Sequence, residues 1–574
     1  MSFYDIKYIG IGGNKMENKL ELTWVGKNKN EKIEPRILIE NPDLSYGDKD
    51  TGNILIHGDN LLSLKALENK YAGKVKCIYI DPPYNTGSAF ENYDDNLEHS
   101  IWLKLMNERI KILRNLLSED GVIFIQIDDN EQAYLTVVMD EIFGRNNRIN
   151  TICVNMSNMS GVKVNSAIEG KRFPKIKEYI LLYCKNKDKY KLKIPKQAKE
   201  KWDAEYNYII PQITEADYEK MEIGDYSDIE KKINELELIP LKKYMKENRI
   251  TDKDDIWKKE NSYRIIATKP NTALLKKCIE QEFTGNIAIV TTSQGLVKLI
   301  TTKFNRDTKT ARIELAFAKS NSETYFGDHW NDIVTTGGVG QEGNVEFKNS
   351  KKPEKLVSRI IECATKENDI VLDSFLGSGT TCAVANKMRR KWIGIEMGDH
   401  VYTHCIPRIN NVIDGTDGTG VTSKYNWKGG GGYKFYELAP SLINMDSFGE
   451  PVINKEYNAE MLAAAVALHE GFKYNPSNEK FWKQSVGNEN SYLYVTTKFV
   501  TKNDINKIKE EMNDTEYLVI ACTAYDKEID GLYKNIKIKK IPEMLLSKCE
   551  FGKDNYNLNI INPPEYEEEY EEDE

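Results

Sequence analysis

Lys76-Cys77-Ile78-Tyr79-Ile80-Asp81-Pro82-Pro83-Tyr84 (residues 76–84) is the stretch on which the fold turns. A short apolar run stops abruptly at an acid and two prolines, the pattern of a buried parallel strand closed by a breaker. Proline lacks an N–H and fixes φ, so the ladder ends there and the turn is stiff. In open α/β sheets ligands bind outside the carboxyl ends of strands, which is where Asp81 falls. Its carboxylate and the Pro82 carbonyl, pointing together, form a pair of acceptors that matches the two donors of an exocyclic NH₂ group. Tyr84 adds a flat face for a planar heterocycle. An amine conjugated to a ring is a poor nucleophile, and two acceptors on its hydrogens favour a pyramidal nitrogen with an available lone pair. A structural turn, with Asp81 capping and Tyr84 packing, is the plainer alternative; the full string Asp81 to Gly87 after this strand favours the chemistry.

Working outward, Gly121 to Ile127 reads as a second buried strand, and apolar spacing near 3.6 over residues 98–117 predicts a crossover helix between the two. A second α/β block comes about 270 residues later: a helix opening at Pro353, a strand at 369–373, a helix over 380–390 and a strand at 391–396. Between strand and helix lies Asp373-Ser374-Phe375-Leu376-Gly377-Ser378-Gly379-Thr380-Thr381. Two glycines permit close approach of a ligand to the backbone, and the helix N-terminus offers free N–H groups to a carboxylate. Glu396 ends the next strand, where an acid commonly holds ribose hydroxyls. This pattern suggests a nucleoside-cofactor site without being G-x-G-x-x-G, and no G-x-x-x-x-G-K-[ST] occurs in the chain. Asp59, closing NILIHGDN, is read either as a further cofactor contact or as the N-cap of the next helix.

The chain has 574 residues, 40% hydrophobic and 29% charged, with a net charge of −9, which fits several globular units and excludes a wholly disordered or fibrous chain. Any nucleic-acid footprint must therefore be local. One candidate is residues 163–201, with thirteen lysines and arginines against four acids, in which Lys163, Lys171, Arg172 and Lys175 are the candidate DNA contacts. Residues 565–574 hold eight acids in ten positions and read as a disordered tail. Nine cysteines without a C-x-x-C pair argue against a disulfide framework and suit a reducing cytoplasm. No apolar run approaches the ~20 residues of a membrane span, and no signal peptide is evident in MSFYDIKYIGIGGNKM. His400, His404 and Cys405 have helical ligand spacing, but a packed role is the simpler reading, and attack by an activated amine needs no metal.

An Asp-Pro-Pro-Tyr motif succeeded much later by Phe-Leu-Gly-Ser-Gly-Thr resembles the β class of amino-group DNA methyltransferases. The likeness is closer still to the modification subunit of Type III restriction-modification systems. KLELTWVGK (19–27), GVIFIQIDDNE (121–131), DIVTTGGVGQ (332–341), FKNSKKPEKL (347–356) and GGGGYKFYEL (429–438) carry it over residues 19–440. The resemblance implies a Rossmann-like, mostly parallel, doubly wound S-adenosylmethionine-dependent methyltransferase fold. Asp81, Pro82, Pro83 and Tyr84 would hold and activate a flipped-out adenine. Asp373, Phe375, Gly377, Ser378, Gly379 and Thr380 would line the methionine half of S-adenosylmethionine, with Glu396 on its ribose and Ser350 and Lys352 in the segment that closes over the methionine end. The implied organisation is an N-terminal extension (1–18), a catalytic half (19–184), an inserted target-recognition domain (185–325), a cofactor-binding half (326–440), a small C-terminal α/β domain (441–563) for dimerisation or partner binding, and the acidic tail (564–574). Double-stranded DNA, a second copy of the chain and a helicase-nuclease restriction subunit are the implied partners. Asp in first place favours adenine over cytosine. A solitary methyltransferase, a glutamine-side-chain methyltransferase and a non-catalytic recognition subunit are the competing readings. Ser374 stands where proline is commoner in the family.

Overall fold

The computed structural model describes residues 22–24, 27, 33–84, 99–156, 167–168, 170–199, 201–292, 295–333, 338–347, 351–546, 548–549 and 551. The chain divides into two compact units, one of Met1–Lys193 with Asp328–Glu574 and one of Ile194–Gly327.

The first unit is built on a ten-stranded sheet. Its strands in chain order are β1 (Leu38–Gly47), β2 (Ile54–His57), β3 (Val75–Ile80), β4 (Leu117–Ile127), β5 (Arg148–Asn155), β6 (Lys177–Cys184), β7 (His329–Trp330), β8 (Ile370–Asp373), β9 (Lys391–Glu396) and β10 (Gly432–Leu438). They lie in the order β1-β10-β2-β9-β8-β3-β4-β6-β5-β7. Every pairing from β10 to β4 is parallel, while β6 runs antiparallel to β4. Buried on both faces, the central strands read as unbroken apolar runs; Cys77, Ile78 and Ile80 of β3 and Ile123 and Ile125 of β4 are fully buried. Helices α1 (Asn60–Tyr71), α2 (His99–Leu116), α3 (Gln132–Phe143), α4 (Glu354–Ala364), α5 (Thr380–Lys387) and α6 (Ile406–Asp414) belong to this unit. In α2, Trp102, Met106, Ile110 and Leu113 recur at helical spacing and are fully buried, so the 3.6 period in the sequence marks a core face.

Boundaries shift where the backbone does something local. The strand expected at Gly121 begins at Leu117, directly after α2, because the register slips between Val75↔Leu117 and Cys77↔Val122. Gly121 sits at that slip, where a Cβ would lie 2.9 Å from the Val75 carbonyl oxygen. The helix expected over 380–390 ends at Lys387, since Arg389 takes a left-handed φ of 60° that closes the helix.

Residues 441–549 form an α/β subdomain with a five-stranded sheet. Its strands Ser491–Thr496, Tyr517–Cys522 and Ile536–Lys540 run parallel, and helix Ala459–Glu470 packs on them through Leu462 and Val466. The unit Ile194–Gly327 carries a six-stranded antiparallel sheet over a core that includes Ile210, Tyr218, Ile266, Leu299 and Leu315. It begins at Ile194 and not at 185, because residues after β6 stay with the first unit, where the Lys193 N–H donates to the Cys363 carbonyl. Among the described residues no helix is long and apolar enough to cross a membrane.

Candidate active site

The chain winds away from the β8/β3 boundary in both directions, through α5 to β9 on one side and through α2 to β4 on the other. That reversal is the switch point at which doubly wound sheets open a crevice beyond their strand ends. Val371 pairs with Cys77 and Leu372 with Ile78, so Asp373 stands level with Tyr79, and Asp81 comes two residues on. Parallel neighbours lie ~4.8 Å apart, so two motifs nearly three hundred residues apart in sequence share one rim.

On the β3 side, Asp81 sits in a cluster of four. The Tyr84 hydroxyl is 2.7 Å from Asp81 Oδ1 and 2.8 Å from Glu178 Oε2. Lys352 Nζ lies 3.1 Å from Asp81 Oδ2, 3.3 Å from Glu178 Oε2 and 2.9 Å from the Tyr84 hydroxyl. The same ammonium is 4.9 Å above the Tyr84 ring, a cation–π contact. Gln126 of β4 steadies Glu178: its Nε2 donates to Glu178 Oε2 at 2.5 Å while its Oε1 accepts from the Tyr79 hydroxyl at 2.6 Å. Trp102 Nε1 donates to the Pro83 carbonyl at 2.7 Å and pins the turn to α2. Burial raises the Asp81 carboxyl above its usual range, and the Lys352 ammonium works against that rise. For Lys352, burial disfavours the charge, but Asp81 and Glu178 outweigh it and hold the ammonium above its ordinary value.

On the β8 side the turn into α5 uses glycine twice at positive φ, Gly377 at 55° and Gly379 at 80°. Asp373 organises the turn: Oδ1 accepts from the Phe375 N–H at 3.0 Å and Oδ2 from the Thr381 hydroxyl at 2.6 Å. Burial pushes its carboxyl up to about 7, and the charges of Asp81 and Glu396 add to this. Glu396 Oε2 accepts from the Gly377 N–H at 2.7 Å, and Oε1 from the N–H groups of Met397 and Gly398 at 2.9 and 3.0 Å. The buried guanidinium of Arg408 on α6 donates to the Ser378 carbonyl (3.3 Å), the Ser378 hydroxyl (3.2 Å) and the Thr380 hydroxyl (2.6 Å), while its other nitrogen holds Glu354 at 2.9 Å. The loop therefore combines a close backbone approach, the unpaired N–H groups of a helix's first turn and a carboxylate at the end of the next strand. These residues fit a nucleoside that carries an amino-acid tail, as S-adenosylmethionine does.

The structure brings Asp81, Pro82, Pro83, Tyr84, Asp373, Phe375, Gly377, Ser378, Gly379, Thr380, Glu396 and Lys352 to this one region. Lys352 faces both sides: its Nζ belongs to the acidic cluster, while its backbone carbonyl accepts from the Thr380 hydroxyl of the cofactor loop at 3.3 Å. Asp59 takes the N-cap reading: Oδ1 accepts from the Leu62 N–H at 2.9 Å and Oδ2 pairs with Arg109 at 3.2 Å. Its neighbour Asn60 is the residue that reaches the loop, donating to the Ser374 carbonyl at 2.8 Å. Lys175 is held on the surface by Asp128 at 3.6 Å and Asn130 at 3.2 Å, beside Lys171 and Arg172 in an exposed turn. Ser350 and Lys163 lie outside the described residues. His400 packs on Glu396 at 3.2 Å, Cys405 donates its thiol to the Gly377 carbonyl at 2.9 Å, and His404 meets Phe347 edge-on, so this trio serves the loop's packing. Among the described residues no group of three or more side chains could hold a metal ion. Glu178, Gln126 and Arg408 escaped sequence reading. Glu178 stands inside a lysine-rich run, and nothing in its letters shows that β6, antiparallel to β4, brings it to the turn that follows β3.

A doubly wound parallel sheet with an Asp-Pro-Pro-Tyr turn beside a glycine loop at its switch point defines a Rossmann-like methyltransferase fold. A family model described as DNA methylase matches residues 75–406, and the chain belongs to that family. It is 34% identical over 415 residues to a protein described as the probable Type III restriction-modification enzyme HindVI Mod subunit of Haemophilus influenzae, covering 68% of this chain and 54% of that one. It is 29% identical over 418 residues to the EcoPI Mod subunit of Escherichia phage P1, covering 64% and 61%. The chain thus spans little more than half the length of these relatives. Among solved structures, the cytosine-N4-specific PvuII DNA methyltransferase covers 66% of this chain and 95% of its own at 14% identity and a TM-score of 0.33. The fold assignment rests on the sheet itself.

Proposed function

We propose that the chain transfers a methyl group from S-adenosylmethionine to the N6 amine of an adenine in double-stranded DNA, as the modification and recognition subunit of a Type III restriction-modification system. The convergence of Asp81 and the Gly377–Gly379 loop on adjacent parallel strand ends carries the reading. S-adenosylmethionine supplies an electrophilic methyl group on a sulfonium. Gly377, Gly379 and the first turn of α5 would hold its amino-acid end, with Glu396 toward its ribose. A base stacked in a duplex cannot reach this rim, so the adenine must be flipped out. Asp81 then accepts a hydrogen bond from the amine and stabilises the positive charge that develops on nitrogen as the methyl carbon–sulfur bond breaks to leave a neutral thioether, while Tyr84 stacks against the ring. The nitrogen then loses its extra proton to solvent. The unit Ile194–Gly327 is placed in sequence to read the target. A second copy of the chain and a helicase-nuclease subunit are the partners that the likeness to Mod subunits suggests, and the chain works in the cytoplasm.

Incubation of the purified chain with labelled S-adenosylmethionine and unmodified genomic DNA should place label in DNA, and Asp81→Ala should abolish it. Absence of label with the unaltered chain, under conditions where DNA and cofactor both bind, would mark a recognition subunit without catalysis. Methylome sequencing of cells with and without the protein gives the modified base and its context together.

A further inference from the structure

We infer that Glu178 is a positioning residue that receives the Lys352 ammonium when the target amine takes its place on Asp81. The inference rests on the methyltransferase reading above and concerns the group that must leave the acceptor before a base can use it.

In the structure the acceptor is occupied by a part of the protein itself. Lys352 Nζ sits 3.1 Å from Asp81 Oδ2 and over the Tyr84 ring, on the carboxylate that the amine requires and the face on which a base would stack. A neutral amine does not readily displace an ammonium from a partly buried carboxylate if the ammonium is then stranded, because a charge left unpaired in a largely dehydrated site is penalised. Glu178 removes that penalty. Its Oε2 is 3.3 Å from the same Nζ, so the lysine is already shared and can let go of Asp81 without a long excursion. Gln126 Nε2 holds that oxygen in place from the neighbouring strand. The Tyr84 hydroxyl, between the two carboxylates at 2.7 and 2.8 Å, can turn its single proton to whichever one the lysine has left. Two carboxylates and one ammonium leave this group with one net negative charge, which favours a nitrogen becoming cationic during transfer. Glutamine at 178 would abolish that surplus and fasten Lys352 to Asp81.

A double-mutant cycle on the full chain separates this role from simple support of the strand. Single-turnover methylation of a duplex bearing the mapped target is measured for the wild type, Glu178→Gln, Lys352→Met and the double variant, along with the dissociation constant of S-adenosylmethionine. Glu178→Gln should slow transfer roughly ten- to a hundred-fold, the scale of one charged hydrogen bond, with cofactor affinity within about two-fold of wild type. In the Lys352→Met background the same change should cost less than about three-fold, since no lysine then needs a place to go. Glu178→Asp, which keeps the charge, should recover part of the lost rate. An equal loss in both backgrounds would overturn the inference and leave Glu178 as a structural residue. If thermal unfolding shows that Glu178→Gln does not fold, the cycle is run with Glu178→Met, which likewise gives Lys352 no carboxylate, and the same comparison decides. Failure of the wild type to methylate DNA would instead remove the underlying function, a result distinguishable from equal losses in an active enzyme.

Discussion

Tyr84 presents a ring and a hydroxyl to different neighbours, and phenylalanine separates the two. Tyr84→Phe keeps the stacking surface and removes the link to Asp81 and Glu178, so the transfer rate should drop about ten-fold, with S-adenosylmethionine affinity unchanged in equilibrium dialysis. Tyr84→Ala should lose both and fall further. Asp81 and Tyr84 were legible at this scale because two prolines after an apolar run fix the end of the strand and stiffen the turn beyond it. Asp59 and Lys352 were legible only as polar residues near the right place. Whether an aspartate caps a helix or faces a ligand depends on a rotamer, and whether a lysine on a connecting segment turns to one motif or the other depends on which carboxylates the fold gathers. Glu178 was not legible at all, since its role comes from strand pairing.

Elements meet through a charge cluster that no periodicity announces. Glu354 at the start of α4, Lys387 at the end of α5, Arg408 on α6 and Asp417 are all fully buried or nearly so. Lys387 lies 2.8 Å from Glu354 and 2.6 Å from Asp417, and Arg408 joins Glu354 to the Ser378–Thr380 turn. Arg408→Met removes one charge from a closed set and leaves the turn without the single guanidinium nitrogen that serves three of its oxygens. It should lower stability by about 3 to 5 kcal/mol in urea titration and weaken cofactor binding in the fraction that remains folded. Gly394 tests the packing beneath the glycine loop. It lies on β9, where an added Cβ would fall 2.6 Å from the Cys382 sulfur and 2.8 Å from a Leu376 methyl. Gly394→Ala should cost roughly 1 to 3 kcal/mol, read as a lower melting temperature, without any change in the reacting groups. Element types in this domain come from apolar period and breakers. The misplaced edges, at Leu117 and Lys387, are where a register slip or a left-handed residue decides, and neither leaves a trace in hydrophobicity.

At the scale of the molecule the alternation of strand and helix made the doubly wound sheet legible. The interior of Ile194–Gly327 was not, because strands as short as Tyr208–Ile209 and Ile239–Pro240 carry no readable alternation. The C-terminal subdomain was legible as an α/β pattern, yet the surroundings of His469 were not. His469, near the end of helix Ala459–Glu470, stacks on Phe551 with ring centroids 5.5 Å apart and has Cys549 Sγ 3.9 Å from its Nδ1. Burial pulls its imidazole down to about 4, and the positive charge of Lys548 adds to the effect. The unfolded chain binds this proton near pH 6.5 and the folded chain only near pH 4, so the unfolded state holds more protons between the two and stability falls as the pH drops through that window. The loss is bounded at about 3 kcal/mol and is complete below the folded value. Urea midpoints at pH 7.5 and pH 4.5 should therefore differ more for the wild type than for His469→Gln, which cannot take up the proton. Equal differences in the two proteins would show that His469 is as freely protonated in the fold as in the open chain, and that carboxylates elsewhere set the acid response.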